Sequence, residues 1–425
     1  LAKQVVAAGS IFQSAYGRVV TRAELSSLAG LSDPLLLVSE QSWKLLKSGN
    51  HSIDAQTYVS EVRQLRGLPA SAPANPNPPK RIVVIFVESF SLNFSRKYNP
   101  ALPTTLTPNL DALSDVPFQP LHIRTISSPT TPGLGTHFCS VPNSDLADDA
   151  AYNCSVVDRL RDAGWHTVMF ESPPENFDNG SRRFAQIGFS ELYGAKYQSA
   201  HGNGNFVNQW GTLDRVTLAS ITSYIAAHRN EKLFIAGLTI DTHLPTGRTN
   251  YGSLTYPEAP AWIDADPARL ILRSVFRFDH DISDFVEALR KIDGLEDTVI
   301  IITGDHSLPP FPELNNRLGL THSQYEDIPF FIIGKKAPAT FPSPTDSQLD
   351  TAPTLAYLAG VSPDSRWWGH SLFQPTGAIL PLYRYDVDRG LQFNPQTGSF
   401  STPVSPEILR LLESYPNSPA TRKGK

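Results

Sequence analysis

One apolar segment, Asp297–Ser307 with the sequence DTVIIITGDHS, constrains the fold more than any other feature of the chain. Its centre, Thr298–Ile302, is a nearly continuous β-branched run. A strand that is apolar on both faces is typical of the middle of a parallel sheet covered by helices on both sides. The run ends abruptly in Gly304-Asp305-His306. Because sites in open α/β sheets lie at the carboxyl ends of the strands, this segment predicts a candidate site as well as a fold class.

Polar side chains of the right chemistry for a metal follow two such strands. Asp305 and His306 supply a hard oxygen and a borderline nitrogen, which suit a divalent metal better than a protein core. A second apolar run, Arg81–Val87, ends in the same way with Glu88. An ordinary Gly-Asp turn with an unrelated histidine is the alternative interpretation of the first pair.

Strand and helix patterns alternate along the middle of the chain. Further apolar strands are predicted at Trp165–Phe170, Leu233–Ile240 and Ile328–Ile333, and Asp279–Ile292 has the pattern of an amphipathic helix. This alternation predicts an α/β fold, a three-layer sandwich with a mixed, mostly parallel central sheet, preceded by a helical segment.

Composition divides the chain into four regions. Residues 1–67 are predicted to be a helical N-terminal segment, and residues 68–80, with five prolines, an extended linker. Residues 81–375 form the main domain in this interpretation. Residues 376–425 are a C-terminal extension whose last ten residues we expect to be disordered.

Charge and hydropathy limit the classes of partner. The formal net charge of −5 over 425 residues gives no reason to expect nucleic-acid binding. No run of about 18 apolar residues occurs, so we expect no membrane-spanning helix in this chain. The first residue is Leu, which we interpret as the start of a fragment or processed product. Any membrane anchor would then lie upstream.

A reactive hydroxyl is predicted at Thr136. The segment Ser127–Asn143 is rich in Pro and Gly as far as Gly135, which indicates a loop and then a helix beginning at Thr136. Helix N-termini favour anions such as phosphate through their N–H groups and dipole. Simple helix capping by Thr136 is the alternative.

Six motifs in this order resemble the sulfatase-type branch of the alkaline phosphatase superfamily, and they span Arg81–Leu372. Within that branch the chain is similar to membrane-anchored phosphoglycerol and phosphoethanolamine transferases, including lipoteichoic acid synthase. The motifs are Glu88-Ser89 after a strand, Thr107-Pro108-Asn109-Leu110-Asp111, Gly135-Thr136, Trp210-Gly211-x-x-Asp214, Thr239-x-x-Thr242-His243 and Gly304-Asp305-His306.

The resemblance implies one divalent metal ion, Mn²⁺ or Zn²⁺, with Mg²⁺ also chemically acceptable. The implied ligands are Glu88, Thr136, Asp305 and His306, with Thr136 as the nucleophile. His243 and His322 match positions that contact the phosphoryl group or its donor. The further candidates for substrate binding are Asp241, Arg182 and Arg183.

The function implied is transfer of a phosphoglycerol group from phosphatidylglycerol to a periplasmic or cell-surface glycan through a phosphothreonine intermediate. The run Asp241–Gly247, DTHLPTG, favours phosphoglycerol because it is similar to that of glucan-modifying phosphoglycerol transferases. The alternatives are a phosphoethanolamine transferase acting on lipid A or a glycan, a phosphodiesterase, and an inactive binding or sensing domain. Sulfate-ester hydrolysis is not expected, because Cys139–Asn143 departs from Cys-x-Pro-x-Arg.

The resemblance places the domain on the extracytoplasmic face of the inner membrane, as the soluble part of a membrane-anchored protein. A disulfide between Cys139 and Cys154 fits that compartment, because such bonds persist where conditions are oxidising. Two buried free thiols are the alternative.

Overall fold

The chain divides into two compact units, Leu68–Pro381 and a second one composed of Leu1–Gly67 and Leu382–Lys425. A computed structural model describes residues 63, 68, 75–96, 98–113, 121–141, 155–201, 207–244, 254–266, 269–308, 327–338, 347–374, 385–386, 391–394 and 399–402. The four predicted regions stay predictions, because most of residues 1–74 and 375–425 lie outside these ranges.

A seven-stranded sheet organises the larger unit, in the order β2-β7-β6-β1-β5-β3-β4. Six strands run parallel to one another, and β7 pairs antiparallel with both of its neighbours. The strands are β1 (Arg81–Val87), β2 (Leu121–Arg124), β3 (His166–Glu171), β4 (Glu191–Tyr193), β5 (Leu233–Leu238), β6 (Thr298–Gly304) and β7 (Asp327–Ile333).

Helices cover both faces of this sheet. The α-helices among the described residues are α1 (Pro108–Leu113), α2 (Thr130–Cys139), α3 (Val156–Asp162), α4 (Gly180–Ile187), α5 (Ala195–His201), α6 (Asp214–Ala227), α7 (Ala261–Ala265), α8 (Arg269–Asp293) and α9 (Thr351–Leu358). Short 3-10 helices are formed by Leu92–Phe94, Phe177–Asn179 and Gln348–Asp350.

The side chains of β1 show why helices pack on both faces of the sheet and form three layers with it. All seven β1 residues are buried, and alternate ones enter different cores. Phe86 packs edge-on against Phe138 of α2, with ring centroids 5.3 Å apart. Ile85 points to the opposite core, which it shares with Ile221 of α6 and Val286 of α8. The predicted three-layer sandwich with a mixed, mostly parallel sheet is therefore confirmed.

Two predicted helix starts are wrong. The helix expected to begin at Thr136 begins at Thr130, since Pro132 is tolerated in a first helical turn and Leu134 is buried in the core. Its Pro and Gly content conceals this start, because burial of the apolar face outweighs low helix propensity. The helix expected at 279–292 begins ten residues earlier, at Arg269, because its apolar stripe continues upstream through Leu272.

The smaller unit contributes three described strands, β8 (Tyr385–Asp386), β9 (Leu391–Asn394) and β10 (Ser399–Thr402), which form an antiparallel sheet in the order β10-β9-β8. None of the helices described in either unit combines the length and the apolar character needed to cross a membrane.

Candidate active site

The strand register brings the acidic side chains together. Val87 of β1 lies opposite Gly304 of β6, so Glu88 and Asp305 follow two adjacent parallel strands at the same edge. Ligand atoms of Glu88, Asp305 and His306 lie within 4.8 Å of one another, and all three side chains are buried. We call these three residues the β1/β6 cluster.

Asp305 presents one satisfied and one unsatisfied oxygen. Its Oδ1 accepts the backbone N–H groups of Ser89 at 2.8 Å and His306 at 2.7 Å. Its Oδ2 is buried and has no hydrogen-bond partner among the described residues. Burial, and then the nearby Glu88 carboxylate, raise the pKa of Asp305 well above its usual value, opposed by the hydrogen bonds from the Ser89 and His306 N–H groups.

His306 turns a lone pair toward the two carboxylates. Its Nδ1 lies 2.7 Å from the carbonyl oxygen of Ser307, which can only accept, so Nδ1 carries the proton. Nε2 then has the lone pair, 3.5 Å from Asp305 Oδ2 and 3.7 Å from Glu88 Oε1. A backbone carbonyl that fixes the tautomer in this way is a common partner of metal-binding histidines.

The β1/β6 cluster fits a divalent metal ion. Two buried carboxylates side by side must either share a proton or bind a positive charge. The unsatisfied Asp305 Oδ2 and the orientation of His306 Nε2 point to the same place. Two oxygens and one nitrogen are a donor set that Zn²⁺ and Mn²⁺ accept, with a further position for a reacting group.

Thr130 supplies a hydroxyl beside this cluster. It is the first residue of α2, and its Oγ1 donates to Glu88 Oε2 at 2.9 Å. The first turn of a helix offers N–H groups and a dipole that stabilise an anion. Ser89 next to Glu88 has φ 48°, a left-handed conformation that is costly for a residue other than glycine and is frequent at functional sites.

The structure does not bring Thr136 to the cluster. Thr136 lies six residues after Thr130 on α2, which corresponds to about 9 Å along the helix axis. Its side chain is fully buried, and its hydroxyl lies 2.7 Å from Ser127 Oγ and 3.0 Å from the carbonyl oxygen of Val141. Three of the four predicted metal ligands therefore come together, and Thr130 stands where Thr136 was expected.

Of the two candidate arginines, Arg183 reaches the start of α2. Its Nη1 donates to Thr131 Oγ1 at 3.0 Å, and its Nη2 lies 2.6 Å from Asp178 Oδ2. Thr131 also donates to that carboxylate oxygen at 3.0 Å. Arg183 is buried whereas Arg182 is exposed, and the contact with Thr131 places Arg183 beside the first turn of α2.

His243 lies five residues after the end of β5. The neighbouring Thr242 hydroxyl donates to the backbone carbonyl of Glu88. The His243 ring lies against Trp210, with centroids 4.2 Å apart, and its Nδ1 is buried without a hydrogen-bond partner among the described residues. His322 and Cys154 lie outside the described residues.

Asp241 belongs to a second acidic group, which we call the β5/α6 pair, formed with Asp214. Asp214 Oδ1 accepts the N–H groups of Ile240 at 2.7 Å and Asp241 at 3.1 Å, and Asp241 Oδ2 accepts the N–H of Asp214 at 3.1 Å. Asn208 donates to Asp241 Oδ1 at 2.7 Å. Burial raises the pKa of Asp241 to about 7, and burial together with Asp241 raises that of Asp214.

Thr130 and Thr131 were missed from the sequence, although one signal was present. Pro132 follows them directly, and a proline within the first turn marks a helix start. The Gly residues at 133 and 135 drew the predicted boundary downstream.

Comparison with known proteins identifies the family of this chain. The model of the sulfatase family matches residues 80–361, which is more than half of the chain. The chain belongs to the sulfatase family. The recognition of that family from sequence motifs is therefore confirmed.

Curated relatives of this sulfatase-family chain include phosphoglycerol transferase I of Salmonella typhimurium and of Salmonella arizonae. Each is 24% identical over 245 residues, which cover 54% of this chain and 31% of the relative. The chain thus matches about a third of the length of these relatives, whose names are those of phosphotransferases.

Solved structures share the fold. An alkaline phosphatase superfamily protein from Vibrio parahaemolyticus has a TM-score of 0.65 at 18% identity, covering 87% of this chain and 96% of that one. Lipoteichoic acid synthase LtaP from Listeria monocytogenes has a TM-score of 0.65 at 17% identity, covering 86% and 97%. At these identities the likeness concerns the fold alone.

Proposed function

We propose that this chain is the catalytic part of a metal-dependent phosphotransferase that moves a phosphoglycerol group from phosphatidylglycerol to an extracytoplasmic glycan. The group passes through a phosphothreonine ester on Thr130. The observation that carries the proposal is the Thr130 hydroxyl, which lies at a helix N-terminus and 2.9 Å from a carboxylate of the β1/β6 cluster. The relatives named phosphoglycerol transferase support the choice of group.

Each of these residues has its own role in a two-step transfer. A divalent ion held by Glu88, Asp305 and His306, Mn²⁺ or Zn²⁺, would neutralise phosphoryl oxygens and lower the pKa of the attacking hydroxyl. Thr130 Oγ1 attacks phosphorus as its proton passes to Glu88 Oε2, the bond between phosphorus and the diacylglycerol oxygen breaks, and that oxygen takes up the proton as diacylglycerol leaves. The acceptor hydroxyl then attacks the phosphothreonine and releases Thr130. Arg183 binds the phosphoryl oxygens from the side of Thr131.

The environment of Asp241 favours glycerol over ethanolamine as the head group. An ammonium group requires a charged carboxylate or an aromatic face. Asp241 has a pKa raised to about 7, and both of its oxygens already accept hydrogen bonds, from Asn208 and Asp214. It is therefore a poor partner for an ammonium group. We assign binding of a glycerol hydroxyl to His243, whose buried Nδ1 has no hydrogen-bond partner among the described residues and would have to turn toward the substrate.

The proposed reaction also sets a location. Its lipid donor lies in a membrane leaflet and its acceptor outside the cytoplasm, so the chain would act on the extracytoplasmic face of a membrane as part of an anchored protein. The Cys139–Cys154 disulfide remains a prediction tied to that location.

A matched pair of threonine variants tests the nucleophile. The protein is incubated with Mn²⁺ and equal amounts of phosphatidylglycerol and phosphatidylethanolamine, and peptide masses are measured. We expect a phosphoglycerol adduct on Thr130 in the wild type. Thr130→Ala should lower turnover on the order of 10³-fold or more, whereas Thr136→Ala, which alters only a buried hydrogen bond, should form the adduct.

The same experiment separates the alternatives. An adduct on Thr136 that survives in Thr130→Ala would restore the nucleophile predicted from sequence. A phosphoethanolamine adduct without a phosphoglycerol one would identify the other class of transferase. Release of free glycerol phosphate at an unchanged rate with and without glycan would indicate a phosphodiesterase.

A further inference from the structure

The side-chain amide of Gln348 uses its full hydrogen-bonding capacity. Gln348 is completely buried at the start of the 3-10 helix that precedes α9. Its Oε1 accepts the N–H groups of Ile126 at 2.7 Å and Ser127 at 2.8 Å. Its Nε2 donates to the carbonyl oxygens of Ser127 at 3.2 Å and Asp305 at 2.6 Å. An amide has two acceptor sites and two donors, so all four are engaged.

These four bonds join two parts of the candidate active site. Ile126 and Ser127 belong to the loop that leads into α2 and therefore into Thr130. Asp305 carries the unsatisfied carboxylate oxygen of the β1/β6 cluster. The first turn of α2 is already in tight contact with that point, because a Cβ on Gly133 would lie 2.6 Å from the carbonyl oxygen of Asp305.

A second buried contact reinforces the same junction. His137 on α2 lies with Nε2 3.1 Å from the carbonyl oxygen of Gly304 and with Nδ1 2.8 Å from Thr351 Oγ1. The carbonyl can only accept, so Nε2 donates and Nδ1 accepts from the threonine hydroxyl. Burial lowers the pKa of His137 to about 3, which keeps the ring neutral in this arrangement.

The 3-10 helix that carries Gln348 is itself held in place by hydrogen bonds. Ser347 and Asp350 form a capping box around the 3-10 helix, and Asp350 Oδ1 accepts the N–H of His370 at 2.9 Å. A side chain held by a rigid base transmits position better than one on a free loop.

We propose that Gln348 is a positioning residue that sets the distance between the Thr130 hydroxyl and the metal ligand Asp305. This inference rests on the proposed function, since it assigns Gln348 a role in the transfer step. Gln348 touches neither the reacting atoms nor the metal ligands' side chains. It acts by holding the loop before α2 against the end of β6, where a displacement of about 1 Å lowers a rate on the order of 10²-fold.

The alternative is that Gln348 is only a buried amide whose hydrogen bonds are all made and which has no role in the transfer. The chain contains a second buried glutamine that serves as a matched control. Gln198 is also completely buried. Its Nε2 donates to the carbonyl oxygens of Glu171 and Tyr193, both at 2.9 Å. Its Oε1 accepts from Thr217 at 2.7 Å and Thr212 at 3.3 Å. These bonds join the region of β3 and β4 and make no contact with the β1/β6 cluster.

The test compares Gln348→Met with Gln198→Met in three measurements: the urea midpoint of unfolding, Mn²⁺ affinity by calorimetry, and the rate of Thr130 adduct formation at saturating Mn²⁺. We expect similar losses of stability in the two variants. Gln348→Met alone should weaken Mn²⁺ binding tenfold or more, as changes around metal ligands do. It should also lower the adduct rate on the order of 10²-fold at an unchanged KM for the lipid.

Equal losses of affinity and rate in the two variants would overturn the proposal. If Gln348→Met does not fold, Gln348→Glu replaces it. The carboxylate can still accept from Ile126 and Ser127 but cannot donate to Asp305, so a wild-type adduct rate there would equally overturn it. If the wild type forms no adduct on Thr130, the proposed function fails, and the difference in Mn²⁺ affinity alone decides the role of Gln348.

Discussion

The two buried acidic groups at the carboxyl ends of the strands look alike in sequence and differ in their hydrogen bonds. In the β5/α6 pair, backbone N–H groups of each residue cap the carboxylate of the other, and Asn208 adds a further donor. Each group keeps one buried carboxylate oxygen without a hydrogen-bond partner among the described residues, Asp214 Oδ2 in the pair and Asp305 Oδ2 in the β1/β6 cluster. In the β1/β6 cluster, the His306 imidazole turns a lone pair toward that oxygen. The first arrangement consists of carboxylates that hold a loop in place, whereas the second combines carboxylates with an imidazole, a donor set that suits a divalent metal ion.

This difference has a general lesson for reading acidic clusters. Burial raises the pKa of Asp214, Asp241 and Asp305 alike, so a perturbed pKa does not identify the reactive group. The imidazole lone pair that His306 directs at the unsatisfied Asp305 oxygen is the better guide, because nitrogen and oxygen donors that converge on one point can bind a metal ion.

The largest effect should come from removing one carboxylate in each group. Asp305→Asn should abolish metal binding and lower adduct formation on the order of 10³-fold or more, because it removes the oxygen that faces the proposed ion. Asp214→Asn keeps the acceptor for the two N–H groups and should retain the metal. Metal content by elemental mass spectrometry, together with adduct rates, checks both. Loss of metal in Asp214→Asn would contradict this prediction and show that both groups contribute to one metal site.

The pH dependence of stability should sharpen the contrast. The folded-state pKa of Asp241, about 7, exceeds its ordinary value of 3.8, so the folded state binds the proton more tightly. The free energy of unfolding should therefore fall as the pH rises from about 4 to about 7. The loss is on the order of 4 kcal/mol at most. Urea unfolding of the wild type and of Asp241→Asn measures it, and the difference between the curves should disappear below about pH 4.

Removal of the metal should affect only the β1/β6 cluster. Mn²⁺ at 100 times its dissociation constant should raise the free energy of unfolding by about 2.7 kcal/mol over the value in chelator. Asp214→Asn should show the same increment and Asp305→Asn none. A stabilisation that persisted in Asp305→Asn would place the ion elsewhere.

The smallest effect should come from His243, which is two residues after Asp241 in the chain. His243→Ala removes one hydrogen-bonding nitrogen offered to the head group, so we expect a loss of about 1 kcal/mol, or roughly fivefold in kcat/KM. Metal content should not change. An unaltered kcat/KM with phosphatidylglycerol would remove His243 from the substrate site.

Much of the site follows from local sequence. The apolar runs at Arg81–Val87 and Thr298–Ile302 predict adjacent buried strands, and parallel pairing then places the following residues at one edge. Glu88, Asp305 and His306 were selected as candidate ligands in this way, as was the three-layer fold, and the family was recognised from six motifs in the chain. These inferences succeed because strand periodicity and the polar ends of strands are written in consecutive residues.

Tertiary structure decided what depends on distant residues. The start of α2 at Thr130 is set by burial of Leu134 against the sheet, which outweighs the weak helix propensity of its Pro and Gly residues. The link from Gln348 to Ile126 spans 222 positions, and no local pattern encodes such a contact. Sequence alone thus selected three residues that the structure brings together but not the hydroxyl beside them, because propensity is a local property whereas helix boundaries and hydrogen-bond partners depend on the packed chain.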